Sequence, residues 1–152
     1  MSVGYQKEKM KVAGFTIARN IVKADYPLRE ALLSVLPLCD DFVIAVGDSD
    51  DGTKEYLQAM QEPKIRLFDT IWDDNKRVGG AVLADETNKA LATVPTDADW
   101  LLYIQADECL HERYVPMVRA AMEKYLHDDE VDALLFDYLH FYGNYSMVGD
   151  SR

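Results

Sequence analysis

Four short β-leaning runs recur along the chain, with helix-patterned stretches between them: "KVAGFTI" (11–17), "FVIAV" (42–46), "KIRLF" (64–68) and Trp100 to Ile104. This alternation constrains the fold more than any other feature, because consecutive strands joined through helices pair in parallel and need cover on both faces. The first intervening stretch, 25–39, has Asp25 as a predicted N-cap, Pro27 in the first turn, and Leu28, Ala31, Leu32, Val35 and Leu36 at helical spacing. Thr53 is expected to cap a short helix through about Met60. Residues 80–93 give a third helix with Leu83, Thr87, Ala90, Leu91 and Val94 on one face, and "PTDAD" (95–99) is a turn. A fourth helix, 113–126, turns Val115, Val118, Met122 and Tyr125 inward, and "DALLFDYLHFYG" (132–143) reads as a long final strand. The prediction is an α/β fold, a three-layer αβα sandwich with a mostly parallel sheet, in one domain over 1–152. Ligands of such sheets bind at the carboxyl ends of the strands, near a switch in strand order. That rule selects 18–20, 47–53, 69–80 and 105–112.

Charge narrows the partners. The 152 residues carry 27 acids against 16 bases, a net charge of −11. Nucleic acid and anionic membrane bear the same sign, so neither suits this chain unaided. A phosphate-bearing ligand would need a cation between it and the protein. Cys39 and Cys109 are the only cysteines, without metal-ligand spacing, and read as reduced thiols. "MSVGYQKEKM" lacks the apolar core of a signal peptide, and no apolar run approaches membrane-spanning length. The expected compartment is the cytoplasm.

Two acidic turns stand out at the selected strand ends. "AVGDSDDGT" (45–53) places Asp48, Asp50 and Asp51 after the second strand, residue types that suit a capped turn or a ligand site equally. It is not a calcium loop, since counting back from Gly52 puts Gly47 and Ser49 where the first and third acids belong. Nor is it a phosphate-cradling loop, because carboxylates fill the cradle. In "QADECLHE" (105–112), Asp107 leaves a buried strand beside Glu108, with His111 and Glu112 one turn on. A hard divalent cation suits such a group, while Glu112 serves the dipole of the following helix. "WDDNKRVGG" (72–80) adds glycines and the bases Lys76 and Arg77, either as a solvated loop or near a diphosphate. His140 in "LHFYGNY" reads as a hydrogen-bonded core histidine, and the aromatics from Phe136 to Tyr145 as core or a sugar-stacking wall.

The ordered set "TIARN", "FVIAVGDSDDGT", "TNKAL" and "WLLYIQADE" resembles the family 2 glycosyltransferases of the glycosyltransferase-A fold over essentially the whole chain. The resemblance implies transfer of a sugar from a UDP- or GDP-sugar to an acceptor, with inversion and with Mn²⁺ or Mg²⁺. It implies that Arg19 and Asn20 line the base and ribose pocket, that Asp48 hydrogen-bonds base or ribose, and that Asn88 flanks the pocket. Asp107 matches the metal-binding acid that ends the family's D-x-D. Gln105 stands where the first acid belongs; it can reach a ribose hydroxyl or a metal-bound water but brings no charge. Glu108 and His111 are expected to orient Asp107. The family's acceptor region lies beyond the segment matching 140–152, and its catalytic base is expected beyond Arg152. The chain therefore reads as a donor-binding part of a longer protein. Within it, Asp137 and His140 are the nearest candidates for a base. The alternative is a non-catalytic nucleotide-sugar-binding or assembly domain, and a sheet edge near residue 140 invites association with a second copy. A receiver domain is excluded because Ala18, Arg19 and Asn20 stand where its first acids belong.

Overall fold

The computed structural model describes residues 9–149 except Arg77, and does not describe the side chain of Val78. Four parallel strands, β1 (Val12–Ala18), β2 (Asp41–Gly47), β3 (Ile65–Thr70) and β4 (Trp100–Tyr103), form one sheet in the order β3-β2-β1-β4. The chain leaves β1 toward β2 and β3, then returns across to β4 on the other side of β1. The strand order therefore switches beside β1, and the loops after β1 and β4 part there.

Strand periodicity sorts the core into two layers. Val12, Phe42, Ile44, Val46 and Leu102 face α1 (Leu28–Val35), α2 (Thr53–Ala59) and α4 (Val115–Tyr125), where Leu28, Leu32, Leu57, Val118 and Met122 pack against them. Their neighbours Ala13, Phe15, Val43 and Ala45 face the other way, onto Ala90 and Val94 of α3 (Ala81–Leu91) and just beyond it. This is the expected three-layer sandwich. Gly14 is needed for the first layer, because a Cβ there would lie 2.2 Å from the Phe42 ring.

Several local expectations change. Pro27, not Asp25, precedes α1, and Asp25 sits in a turn at φ 54°; the residue before a proline resists helical geometry, which delays the helix start. Gly52, at φ 84°, occupies the N-cap of α2, and Thr53 is its first residue. The inward row of α3 is Val82, Glu86 and Ala90, continued by Val94, while Leu83 and Leu91 are exposed. The predicted strand over 132–143 does not form: strand pairing begins only at β5 (Phe141–Tyr142), antiparallel to β6 (Asn144–Val148). Gly143 at φ 72° closes that hairpin, so alternation that could have paired with a sheet edge is taken by a local turn. His140 is exposed and stacks on Tyr138 with ring centroids 5.7 Å apart, not in a core. Among the described residues no helix is long and apolar enough to cross a membrane.

Candidate functional site

The loops after β1 and β2 are laced together by their own polar groups. Asn20, at φ 53°, donates its N–H to Ser49 Oγ at 3.0 Å, and its Oδ1 accepts from the Asp50 N–H at 3.1 Å. Ser49 Oγ donates in turn to the Gly47 carbonyl at 2.9 Å. Asp51 accepts from the Lys23 N–H at 2.8 Å and from the Thr53 hydroxyl at 2.6 Å, and Thr53 Oγ1 accepts the Ile21 N–H at 3.0 Å. Burial pushes the Asp51 carboxyl up, but the Thr53 hydroxyl and the N–H groups of Lys23 and Thr53 outweigh it and hold the group below its ordinary range. The loop's conformation is thus held by hydrogen bonds within the chain itself.

On this frame Arg19 forms the centre of a flat, polar corner. Its guanidinium lies 5.3 Å from the Trp72 ring centroid, within reach of the attraction between a cation and an aromatic face. Nη1 donates to Asp74 Oδ1 at 2.8 Å, Nη2 to Asp48 Oδ2 at 3.3 Å, and Nε to the Asp48 carbonyl at 3.3 Å. The hydrogen bond to Asp74, with the charges of Asp48 and Asp74, raises the guanidinium above its ordinary range against the opposing effect of burial. Asp48 Oδ1 also accepts the Trp72 N–H at 3.2 Å. Gly47 permits this approach, since a Cβ there would come within 2.4 Å of Trp72 Nε1.

The turn after β4 closes on itself. Glu108 Oε2 accepts the Gln105 N–H at 2.8 Å, and the Glu108 N–H returns to the Gln105 carbonyl at 3.3 Å. Glu108 also bonds the Tyr138 hydroxyl, which raises that phenol above its ordinary range. His111 Nδ1 accepts the Arg113 N–H at 3.2 Å and so caps the short 3₁₀ turn Glu112–Tyr114. Asp107 is exposed, and no hydrogen bond or ion pair of its carboxylate occurs among the described residues.

Of the residues expected at the site, the structure brings Arg19 and Asp48 into contact and gives Asn20 to the loop backbone. Asn88 lies exposed on α3, away from the inward row. Lys76, read as a base of a solvated loop or near a diphosphate, pairs with Asp85 at 2.6 Å; Arg77 lies outside the described residues. So does Arg152, the position beyond which the catalytic base is expected, and no described residue bears on that expectation. Sequence reasoning passed over Trp72, Asp74, Glu86 and Lys89. An aromatic two residues past the end of a strand and a glutamate inside an apolar helix row were the signals that could have found them.

A single exposed carboxylate suits Mg²⁺ or Mn²⁺ when substrate phosphates complete the shell. Among the described residues no group of three or more His, Cys, Asp or Glu side chains could hold a metal ion by itself. No family model matches this chain, and no curated protein matches it in sequence. Its fold is shared with a glycosyltransferase. The solved structure of TarS from S. aureus is similar at a TM-score of 0.53 and 19% identity, over 76% of this chain and 20% of TarS. The chain therefore spans about a fifth of the length of that protein, and the likeness shows the fold.

Proposed function

We propose that this chain is the donor-binding part of a glycosyltransferase that moves a sugar from a UDP- or GDP-sugar to an acceptor with inversion. The observation that carries the reading is the Arg19 guanidinium stacked on Trp72 and clasped by Asp48 and Asp74, at the carboxyl edge of a sheet shared with a glycosyltransferase. Flat groups ringed by acceptors suit a heterocyclic base, which stacks by its face and hydrogen-bonds by its edge. In this reading Asp48 accepts from the base or a ribose hydroxyl, and the exposed Gln105 amide reaches a ribose hydroxyl. Asp107 holds Mn²⁺ or Mg²⁺, which when bound offsets negative charge on the departing diphosphate. Glu108 keeps the turn closed so that Asp107 projects from a fixed backbone. We assign no catalytic base among the described residues.

Thermal unfolding with UDP or GDP, each with and without Mn²⁺, tests the reading. A ligand at ~100 times its dissociation constant adds about 2.7 kcal/mol to stability. The expected shift is largest with nucleotide and metal together; Asp107→Asn removes its metal-dependent part, while Asp48→Ala weakens the response with or without metal. No shift under saturating nucleotide and Mn²⁺ would overturn it.

A further inference from the structure

Glu86 is buried to 1% exposure on the sheet-facing row of α3, and no other carboxylate among the described residues is buried so deeply. Its Oε1 accepts from Lys89 Nζ at 2.5 Å, and the same ammonium donates to the Ile71 carbonyl at 3.2 Å. Lys89 reaches in from a half-exposed position, so the pair ties the inner face of α3 to the chain just past β3. Three buried side-chain polar atoms have no hydrogen-bond partner among the described residues: Glu86 Oε2, Thr70 Oγ1 and Trp72 Nε1. Thr70 and Trp72 flank the very carbonyl that Lys89 holds. Thr70 pairs in register with Gly47, the residue against which Trp72 lies. The three orphaned atoms thus belong to Glu86, whose partner Lys89 holds the Ile71 carbonyl, and to the two residues on either side of Ile71. Unsatisfied buried polar groups oppose folding, so packing alone does not account for a glutamate where Val82 and Ala90 show that an apolar residue fits the row.

We infer that Glu86 is a positioning residue: through Lys89 it clamps the Ile71 carbonyl and fixes the segment 70–74 that presents Trp72 and Asp74 to Arg19. The inference deepens the donor-site reading and rests on it for its functional meaning. The geometry runs through two links. Glu86 holds the ammonium in one place, and the ammonium holds the backbone directly before Trp72. Without the carboxylate, Lys89 loses its fixed partner and swings to solvent. Trp72 then loses its backbone anchor on the α3 side and keeps the Asp48 hydrogen bond, the Arg19 stack and its packing on Gly47.

The test uses Trp72 as its own probe. The chain has two tryptophans, so Trp100→Phe leaves Trp72 as the sole emitter. In that background Lys89→Met removes the clamp from its exposed end without cutting into the core, Lys89→Arg restores a cation, and Glu86→Gln removes the charge at similar shape. Emission maximum and acrylamide quenching are read, with circular dichroism as the check on folding. The expected result is red-shifted, more readily quenched Trp72 in Lys89→Met and Glu86→Gln, recovery in Lys89→Arg, and unchanged secondary structure. Binding of UDP with Mn²⁺ in the same proteins is expected to weaken roughly 10- to 100-fold in the two disrupted variants, the scale on which losing an orienting partner acts. Parent-like emission and quenching in folded Lys89→Met would overturn the clamp. If Trp72 responds as expected but UDP and GDP bind none of the proteins, the clamp stands and the donor-site reading falls.

Discussion

Gly47→Ala is a one-methyl perturbation aimed at the contact on which the candidate site is built. A Cβ at that position would lie 2.4 Å from Trp72 Nε1, 2.7 Å from its Cδ1 and 3.1 Å from Arg19 Cβ. Heavy atoms pack at about 3.5–4.0 Å, so the indole must retreat by roughly 1 Å. Gly47 has no positive φ among the backbone exceptions, so alanine suffers no backbone strain and the penalty is steric. Overpacking of this kind costs about 1–3 kcal/mol, or roughly 2–12 °C in melting temperature for a chain of this size. The retreat also pulls the ring from under Arg19, a contact worth about 0.5–1 kcal/mol where partly exposed. The assay is a double-mutant cycle by urea unfolding. Gly47→Ala is measured in the parent and in Trp72→Ala, where the methyl meets only Arg19 Cβ. The expected cost in the second background is smaller by at least ~1 kcal/mol, beyond the ~0.5 kcal/mol scatter of independent sites. Nucleotide-dependent stabilisation should fall in Gly47→Ala as well. Equal costs in the two backgrounds would refute the packing of Trp72 against β2, and the corner with it.

Gly14→Ala meets a harder wall: its Cβ would lie 2.2 Å and 2.4 Å from ring atoms of fully buried Phe42 and 3.0 Å from Cys39 Sγ. It is expected to destabilise by about 3 kcal/mol or more, with part recovered by Phe42→Leu in denaturant melts. Asp51 gives a pH signature. Its folded pKa is depressed, so its stabilisation is complete above the unfolded value near ~3.9 and is lost as pH falls through the folded value. The stability gap between parent and Asp51→Asn, measured by urea unfolding, should therefore close below about pH 4; a gap constant from neutral pH into that range would contradict the network. Cys39 is buried and its thiol is pushed up to about 12, chiefly by burial, whereas Cys109 is exposed. A thiol reagent should label Cys109 in the folded protein and reach Cys39 only on unfolding, with one equivalent before denaturant and a second after it.

The sheet was legible because its signal is local and redundant. Each of "FVIAV" and "WLLYI" is too short for a helix and too apolar for a loop, and the stretches between them carry a helical period. The face of α3 was read half correctly. Ala90 and Val94 do point inward, but Leu83 and Leu91, taken for their companions, are exposed, and Val82 and Glu86 complete the row; a glutamate between apolar positions hides the true stripe from a hydrophobic count. Arg19 and Asp48 were placed at strand ends by their position after β1 and β2. Trp72 was not, because its role depends on a glycine 25 residues earlier, Gly47, leaving room for its indole, a pairing across two strands that spacing cannot reveal. The strand expected over 132–143 failed on similar grounds. Alternation says which side chains share a face but not which edge is at hand to pair with.

The acids of the carboxyl edge divide by what already holds them, and that division bears on the metal more than their number does. Asp51 is taken by Thr53 and Lys23, Asp73 by Asn75, Glu108 by Gln105, and Asp50 lies 3.7 Å from Lys23 Nζ. Asp48 and Asp74 both pair with the single charge of Arg19. Asp107 is the one edge carboxylate with no such partner among the described residues. Partnered carboxylates would have to surrender a hydrogen bond or an ion pair to reach a cation, whereas Asp107 would surrender only water. To take the proposed diphosphate donor, a chain of net charge −11 would also have to offset its own repulsion, and one free carboxylate with a divalent ion would add a net positive charge where a pair of carboxylates would leave none. On this argument Gln105 in the place of an acid does not disable the proposed site. It shifts the balance toward the anionic donor, and Gln105→Asp should bind free Mn²⁺ more tightly while binding UDP with Mn²⁺ less tightly than the parent. Calorimetric titration of metal and nucleotide into both proteins measures the two effects separately, and tighter binding of both in Gln105→Asp would refute the electrostatic account.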